Sequence, residues 1–456
     1  MDLRNEFGFT LSKKLQKLEI SSEKILNHYL DKIEQINPTV NAIVSLEKRK
    51  KLITISRKID QLRATGKPLH PFAGLPIAIK DLEDTKGILS TQGSKLYSNY
   101  IPKTDSPMVT NIRKAGLIII GKTNTPEFGI GGQTFNSIFG TTVNPLDTNK
   151  TSGGSSGGAA AAVQSRLLPF ADGSDMMGSL RTPCSFCNTY GYRPTPGLIP
   201  FKPSHKEKLP QISTNGAIAR HPIDLSILIE IFSGKPMGAL LGTSDEANSV
   251  SKKVIGIPSD YLKNIKFENG IIKVFNNFID KLKDLGFTIV ELDLKIDQNI
   301  LWKCWTVLRS KIISLNLTEE YEKSKEILKD TLVWEIEEGN KISDQQLELA
   351  KITRSNITKS INNVFSKVDF LLLPSAQVFP FSKDKEYPQM IENQTMDTYH
   401  RWLEINILAS LLGLPVVSVP GNELEVNLPL GIQFIAKSHD DSELLQTVLQ
   451  IYNKSS

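Results

Sequence analysis

Cysteine is scarce in this sequence, which has three cysteines among 456 residues. Three thiols cannot build a disulfide framework, so the composition predicts a reducing, cytoplasmic setting. Cys184 and Cys187 form an isolated CxxC pair, and none of the six histidines lies at metal-ligand spacing beside them. We therefore interpret the pair as buried structural thiols and predict neither a metal site nor a cofactor.

Long hydrophobic runs and a strong excess of one charge are also missing. The most apolar stretch, Ile407–Pro420, is interrupted by Ser410, Gly413 and Pro415, whereas a membrane span needs about twenty uninterrupted apolar residues. Residues 1–6 carry acidic groups and no apolar core follows them, which disfavours a secretory signal. Lys and Arg number 54 against 49 Asp and Glu, and a net charge of +5 is too dilute for a nucleic-acid surface. We expect the chain to bind neither membrane nor nucleic acid.

Short apolar runs alternate with segments of helical length along most of the chain. Runs that are apolar without alternation are typical of strands covered on both faces, and strands separated by helices indicate an α/β fold. No low-complexity linker or internal repeat divides the chain, so we predict one domain built on a shared sheet. The predicted strands are Leu75–Ile79, Leu117–Ile120, Leu167–Ala171, Val254–Ile257, Phe287–Leu292, Phe370–Leu373, Val416–Val419 and Gly431–Ile435.

The first segment of the chain is predicted to be a helical cover. Apolar residues from Ile25 to Ile33 lie on one helical face, and Asn37-Pro38 is expected to end that helix. A Lys-rich helix is expected to follow, and Ala159–Val163 is predicted to begin another helix. We divide the single domain of residues 1–456 into four parts. The helical cover is residues 1–65, and the core with the main motifs is residues 66–235. A peripheral half rich in Lys, Asn and Glu follows at residues 236–404, and residues 405–456 return to the sheet.

Two short motifs have weak structural support. Gly116–Thr123 matches the phosphate-binding P-loop formally, but its four variable positions are Leu-Ile-Ile-Ile, which predicts a strand, and Pro126 prevents a smooth helix after it. Gly153–Gly157 fits the G-x-S-x-G nucleophile elbow, yet the preceding residues 141–152 are mostly polar and predict no strand before the turn. His439 beside Asp440 is interpreted as a solvated surface pair rather than as part of a triad.

A much longer pattern begins at the same glycines. Between Gly153 and Pro194 the sequence reads GGSSGGAAAAV, LPFADGSD, MMGSLRTP and YGYRP, and it is preceded by GLPIAIKD, which ends at Asp81. This pattern resembles the amidase signature family, serine hydrolases that cut carboxylic amides. The resemblance also includes NGAIAR, GLPV and LGIQ further along, and it is weak only between about residues 260 and 365. It implies a single α/β domain with a central twisted, mixed β-sheet flanked by α-helices.

The resemblance also implies a catalytic set. It assigns Ser179 as the nucleophile, Ser155 as a bridging serine after a cis peptide bond with Gly154, and Lys80 as the base. The backbone N–H groups of Met176, Met177, Gly178 and Ser179 would form the oxyanion hole, with Asp175 and Arg181 as structural supports. The family usually has glycine where this chain has Met177, which would be strained there if the position required a positive φ.

The lysine must be neutral to accept a proton, although the pKa of a free lysine is about 10.4. Lys80 ends the apolar run Leu75–Ile79, so the sequence predicts that it is buried. Burial in apolar surroundings disfavours the charged form, and we expect it to bring the pKa near 7.

The substrate is expected to be a small carboxylic amide, hydrolysed to a carboxylate and ammonia or an amine, by a monomer or homodimer. Gly131, Gly132, Gln133 and Tyr399 are candidate pocket residues, whereas Trp402 is expected to pack in the core. The MMGSLR form and the later MDTYH stretch look most similar to stand-alone bacterial amidases, including 6-aminohexanoate cyclic-dimer hydrolases. Two alternatives stay open: the A subunit of a glutamine-dependent tRNA amidotransferase, and a protein of this fold that binds without turnover.

Overall fold

The computed structural model describes residues 3, 5–200, 209–235, 253–421 and 428–455. The helices α1 to α15 span Gly8–Gln16, Ser22–Val40, Arg49–Ala64, Pro107–Lys114, Gly157–Gln164, Arg181–Phe186, Pro222–Ser233, Ser259–Lys263, Ile271–Asp284, Gln298–Asn316, Thr318–Ser324, Asp330–Asn340, Asp344–Val364, Ile407–Leu412 and Asp441–Ser455. The strands β1 to β17 span Ile43–Val44, Pro76–Lys80, Ile118–Thr123, Phe135–Asn136, Gly140–Thr141, Val143–Asn144, Asp147–Thr151, Phe170–Asp175, Tyr190–Arg193, Thr214–Ala219, Val254–Pro258, Thr288–Leu292, Phe370–Pro374, Met390–Ile391, Gln394–Thr395, Val416–Pro420 and Gly431–Ala436.

A mixed eight-stranded sheet forms the centre of the α/β fold. Its strand order is β12-β11-β13-β17-β16-β9-β10-β8. The strand β11 is parallel to both β12 and β13, whereas the remaining neighbours are antiparallel. The last two strands of the chain, β16 and β17, lie in the middle of this sheet. The C-terminal segment therefore closes the sheet between the motif-rich half and the β11–β13 half.

A separate three-stranded sheet, in the order β1-β3-β2, lies beside β8. The backbone N–H of Lys80, the last residue of β2, donates to Asp172 Oδ1 of β8 at 2.8 Å. The sequence placed β2 and β3 in one shared sheet with the other runs. The described strands instead divide between two sheets, and Lys80 lies where the two meet.

Each of the eight predicted strands corresponds to a strand of the structure, but the predicted run Leu167–Ala171 is displaced. The observed strand β8 begins at Phe170 and continues through polar residues to Asp175, because β10 pairs with it along its whole length. Leu167 and Leu168 are fully buried in the turn before the strand, where they join an apolar cluster around α5. The apolar run therefore marks residues that are buried, whereas pairing with β10 determines where the strand β8 begins and ends.

The strands β9 and β10 were not predicted, although they occupy the sheet between β16 and β8. Neither contains a continuous apolar run, because glycine, asparagine and arginine interrupt them. The expectation that no strand precedes Gly153 was also wrong, since β7 ends at Thr151. This strand pairs with the short β6 and, at Lys150, forms an isolated bridge with Ser382; it is largely accessible, so it is not the buried strand that a nucleophile elbow requires.

The predicted helices of the first segment are present, with one shifted end. The helix α2 starts at Ser22 after an N-cap at Ser21, but it runs to Val40 and carries Pro38 in its last turn. Asn41, in the left-handed conformation, ends it, and the Asn37 side chain accepts from the backbone N–H groups of Ala42 and Ile43. None of the helices described is both long and apolar enough to span a bilayer.

Candidate active site

Lys80 is a buried lysine at the meeting point of the two sheets. It is 1% exposed, and burial lowers the pKa of its amine to about 7, against the opposing influence of the Asp172, Asp175 and Glu83 carboxylates. All five residues of the strand β2 are buried, and Lys80 is the last of them, so its side chain enters the site directly from a covered strand. The burial and the lowered pKa expected from the sequence are both present.

Three serine hydroxyls surround the Lys80 amine. The Nζ atom lies 2.7 Å from Ser155 Oγ, 2.9 Å from Ser156 Oγ and 3.0 Å from Ser174 Oγ. Only Ser155 was predicted from the sequence to be a partner of the lysine. Ser156 could have been suspected from its position beside Ser155, whereas nothing in the pattern shows that Ser174, on β8, faces the amine.

The loop before α5 brings Ser155 to the lysine. The Gly154–Ser155 peptide bond is cis, as the resemblance implied. A Cβ at Gly154 would lie 2.9 Å from the backbone carbon of Gln133, so this part of the loop requires glycine for close packing. Ser156 then precedes α5, and its backbone N–H donates to the Ser179 carbonyl oxygen at 3.2 Å, which ties the two serine loops together.

Ser179 lies in a tight turn between β8 and α6, organised by the Asp175 carboxylate. Asp175 accepts from the backbone N–H groups of Gly178 (2.9 Å) and Leu180 (3.0 Å). Gly178 has a φ of 90°, which favours glycine, whereas Met177 is not among the residues with positive φ. The replacement of the usual glycine by Met177 therefore introduces no left-handed methionine.

The backbone donors of this turn are not equivalent, which corrects one expectation. The N–H of Gly178 is engaged by Asp175, so it is not available to an oxyanion. Within the described residues, the N–H groups of Met176, Met177 and Ser179 have no hydrogen-bond acceptor. These three remain as candidate oxyanion donors.

Asp175 is held by two buried guanidinium groups. Arg181 donates to it through Nε (3.1 Å) and Nη2 (2.9 Å), and Arg193 Nη1 lies 3.4 Å from Oδ1. Burial alone would raise the pKa of Asp175, but Arg181 and Arg193 hold it well below its usual range. The sequence identified Arg181 as a support and missed Arg193, whose only signal was its place in the YGYRP stretch.

Arg181 also connects this turn to the C-terminal part of the chain. Its Nη1 donates to the Asn406 carbonyl oxygen at 3.0 Å and to Gln433 Oε1 at 3.1 Å, and its Nη2 donates to Ser410 Oγ at 2.6 Å. The nucleophile turn is thereby fixed to β17 and to the segment around α14.

A second buried charge cluster lies beneath the lysine. Asp172 Oδ1 accepts from the Lys80 backbone, and burial raises the pKa of Asp172 to about 7. Lys122 on β3 donates to Thr85 Oγ1 at 2.9 Å, and burial lowers the pKa of its amine. Asp81 accepts from the backbone and hydroxyl of Thr91, and burial raises its pKa to about 6. These residues were absent from the predicted site, and they anchor the end of β2.

A cavity that opens to solvent adjoins the serines, and about 90 Å³ of it is wide enough for water-sized groups. Ser155, Ser174 and Ser179 line it, together with the predicted pocket residues Gly131, Gly132 and Tyr399. Gln133 was also predicted to line it, but its Nε2 donates to the Lys383 carbonyl oxygen at 2.6 Å and it is not among the lining residues. Trp402 packs between Phe186 and Phe381, as expected of a core residue.

The competing short motifs do not form sites in the described structure. Gly116–Thr123 contributes the paired strand β3, so its backbone N–H groups belong to a ladder rather than to a phosphate loop. Cys184 and Cys187 are buried free thiols whose pKa values burial raises, and His439 and Asp440 are exposed. Among the described residues, no group of three or more His, Cys, Asp and Glu side chains could hold a metal ion.

The chain is similar to known proteins over most of its length. The family model described as Amidase matches residues 24–445. The A subunit of the glutamyl-tRNA(Gln) amidotransferase from Legionella pneumophila is 31% identical over 468 residues, covering 95% of this chain and 94% of the relative.

Solved structures with the same fold include hydrolases. A bacterial aryl acylamidase of the amidase signature enzymes superposes with a TM-score of 0.89 at 24% identity, covering 99% of this chain and 96% of the other. The 6-aminohexanoate cyclic dimer hydrolase, in complex with its substrate, gives a TM-score of 0.82 at 22% identity, covering 99% and 97% of the two chains. At these identities the similarity establishes the fold.

Proposed function

Because this chain belongs to the amidase signature family, we propose that it hydrolyses a carboxylic amide through an acyl-enzyme on Ser179. The observation that carries the proposal is the buried Lys80 amine, 2.7 Å from Ser155 Oγ beside a cavity that Ser179 also lines. A lysine with a pKa near 7 is neutral in a large fraction of molecules at physiological pH, so it is available as a base.

Acylation begins with a proton relay. Neutral Lys80 accepts the Ser155 hydroxyl proton while Ser155 accepts that of Ser179, and the freed electron pair of Ser179 Oγ attacks the amide carbonyl carbon. The negative charge passes to the carbonyl oxygen, facing the N–H groups of Met176, Met177 and Ser179. Collapse of this intermediate breaks the C–N bond, and the proton held by Lys80 returns through Ser155 to the leaving nitrogen.

Deacylation repeats the relay with water. A water molecule in the cavity gives a proton to Ser155, which passes one to Lys80, and the resulting hydroxide attacks the ester carbonyl. The ester C–O bond breaks, Ser179 recovers its proton from the relay, and the carboxylic acid leaves and gives its proton to solvent as it ionises to the carboxylate. Both halves of the reaction thus use the same three side chains.

The proposal is tested by covalent labelling. The purified protein is treated with a fluorophosphonate, and the modified residue is identified by peptide mass spectrometry. We expect a single adduct on Ser179, absent in Ser179→Ala and retained in Ser98→Ala, a serine in a surface turn. A protein that leaves a broad amide panel untouched and remains unlabelled would instead be a binding protein of this fold.

A second candidate function is supported by sequence relatedness. The Legionella relative belongs to a tRNA amidotransferase, and its 31% identity extends over nearly the whole chain. If this chain had that function, it would release ammonia from glutamine and depend on partner subunits. Affinity purification from its source cells, followed by glutaminase assays with and without copurified proteins, separates the two functions. Activity of the isolated chain on simple amides supports the hydrolase.

The remaining expectations on assembly and location form part of the same proposal. We propose that the chain acts on a small-molecule amide as a monomer or homodimer in a reducing, cytoplasmic compartment. The three cysteines are unpaired and buried, which fits such a compartment. Light scattering of the purified protein measures the mass of the assembly.

A further inference from the structure

The cavity beside the serines has a polar wall that the reaction does not use. Arg309 on α10 is 4% exposed and donates through Nη2 to Tyr399 Oη at 2.7 Å and through Nε to Glu335 at 3.3 Å. Its remaining arm, Nη1, lies against Met176 Sδ at 3.2 Å. A thioether sulfur is a weak acceptor, so this arm is poorly satisfied at the cavity surface. An oxygen atom in the cavity would be a much better partner.

The charge of Arg309 is already compensated within the wall. Glu335 is fully buried and accepts from Arg309, from Ser310 Oγ at 2.8 Å and from the Tyr399 hydroxyl at 2.6 Å. The Arg309 cation and the Glu335 anion therefore lie in the same wall, and the net charge of this pair is zero. An added carboxylate or ammonium would be an uncompensated charge in a partly desolvated place, which is costly, whereas a neutral oxygen adds none.

His400 contributes a second unsatisfied polar group to the same wall. It is 2% exposed and lines the cavity, and within the described residues neither ring nitrogen has a hydrogen-bond partner. The ring stacks on Trp302 with centroids 5.2 Å apart, which fixes its plane. Burial lowers the pKa of His400 to about 3, so at neutral pH the ring is uncharged and offers one donor and one acceptor.

We propose that Arg309 and His400 form a subsite for an uncharged hydrogen-bonding group of the substrate, such as a second carboxamide, and that this subsite rejects a carboxylate or an ammonium at the same place. The inference rests on the proposed function, since it names the substrate class of that site. The rest of the lining includes the apolar side chains of Leu82, Phe128, Ile130 and Leu403, which suit an apolar spacer between this group and the scissile amide. Free glutamine, which carries both an ammonium and a carboxylate, is a poor fit.

The test compares three matched series of straight-chain compounds from four to eight carbons, so that the length of the spacer is varied. The first series is dicarboxylic diamides, the second their mono-acid mono-amides, and the third simple mono-amides that end in methyl. Binding is measured by calorimetry on Ser179→Ala, so that the readout needs no turnover. For at least one length we expect the diamide to bind about tenfold more tightly than both counterparts, the effect of one satisfied hydrogen bond.

Variants assign this preference to the wall. His400→Phe keeps the aromatic stack on Trp302 and removes both nitrogens, and we expect it to reduce the diamide-to-mono-amide ratio of affinities about tenfold. The matched control is His28→Phe, which alters a histidine on α2 outside the cavity lining and should leave the ratio unchanged. The double variant Arg309→Met with Glu335→Gln removes the ion pair without leaving a lone buried charge, and should also reduce the ratio.

Failure of this inference is distinguishable from failure of the proposed function. If Ser179 is labelled and amides are hydrolysed while the three series bind equally, the subsite is wrong and the hydrolase stands. If no amide is hydrolysed but the diamides bind preferentially, the subsite stands in a protein that binds without turnover. Tighter binding of the mono-acid series would overturn the neutral subsite, because it would show that Glu335 does not compensate Arg309.

Discussion

Lys80 Nζ lies 2.7 Å from Ser155 Oγ, although the two residues are 75 positions apart and belong to different parts of the fold. The lysine ends β2 of the three-stranded sheet, and the serine lies in the loop that leads to α5. Burial alone gives the amine a pKa near 7, in spite of three carboxylates that oppose the shift. A usable base therefore exists because the Lys80 amine is buried, and its pKa depends on that burial.

The first prediction concerns pH. A lysine whose pKa falls from 10.5 to about 7 is protonated below pH 7 and neutral above it, so the active form increases as pH rises. We expect kcat/KM to rise about tenfold per pH unit below pH 7 and to level above it. The profile is repeated on Asp172→Asn, because the pKa of Asp172 is also raised to about 7. Removing that carboxylate should move the midpoint to lower pH; loss of the rising limb would identify Asp172 as the titrating group.

The second prediction concerns the base itself. Lys80→Ala removes the proton acceptor, and we expect kcat/KM to fall about 10²- to 10⁴-fold, the usual contribution of general acid–base catalysis. Lys86→Ala, an exposed lysine six positions further on, should retain the wild-type rate. Circular dichroism and thermal melting of both variants verify that they are folded. A Lys80→Ala protein with a near-normal rate contradicts the proposed relay.

The third prediction concerns the support of the nucleophile turn. Asp175→Asn leaves the Arg181 and Arg193 guanidinium groups without their shared anion in a fully buried place. We expect the free energy of unfolding to decrease by about 3–5 kcal/mol, as for other broken buried pairs. Urea denaturation near pH 7 measures it, because the pKa of Asp175 is held far below this range and the carboxylate stays ionised.

A matched control for that substitution is Asp284→Asn, which changes an exposed aspartate at the end of α9. Surface changes of this kind alter stability by less than about 0.5 kcal/mol. Equal midpoints for the two variants would show that the two arginines do not depend on Asp175.

The fourth prediction separates backbone from side chain at the proposed oxyanion donors. Met177→Ala keeps the backbone N–H, so fluorophosphonate labelling of Ser179 should persist with a rate within about tenfold of the wild type. The side chain is 3% exposed and packs in the main core, so stability should fall by about 2–5 kcal/mol. Met390→Ala, at an exposed methionine, is the control for the loss of thioether volume. Complete loss of labelling in folded Met177→Ala would assign the side chain itself to the site.

The fold class and the residues around the lysine could be predicted from the sequence because both are encoded in runs of adjacent residues. Each buried run became a strand, and the motif containing Lys80 placed that residue at the end of one. The strands β9 and β10, between β16 and the edge strand β8, were missed, because their residues are determined by neighbouring strands rather than by an apolar pattern. Local sequence cannot show such pairing.

The polar wall was missed for a different reason. Arg309, Glu335 and Tyr399 come from α10, α12 and the segment before α14, so no spacing along the chain relates them. Tyr399 was named as a pocket residue, but its partners lie in the region where the resemblance is weakest. Charge compensation between residues that are far apart in the sequence depends on the folded structure, so it could not be predicted from the sequence.

The division of the strands between two sheets has a consequence for how activity arises during folding. Lys80 belongs to one sheet, while Ser174 and the turn of Ser179 follow from β8 of the other. A nascent chain that has completed only one of these layers exposes its lysine to water, where the amine keeps its ordinary basicity and holds its proton. In the proposed mechanism Ser179 does not react in such an intermediate. The time course of Ser179 labelling by a fluorophosphonate during refolding would therefore report when the two sheets pack together.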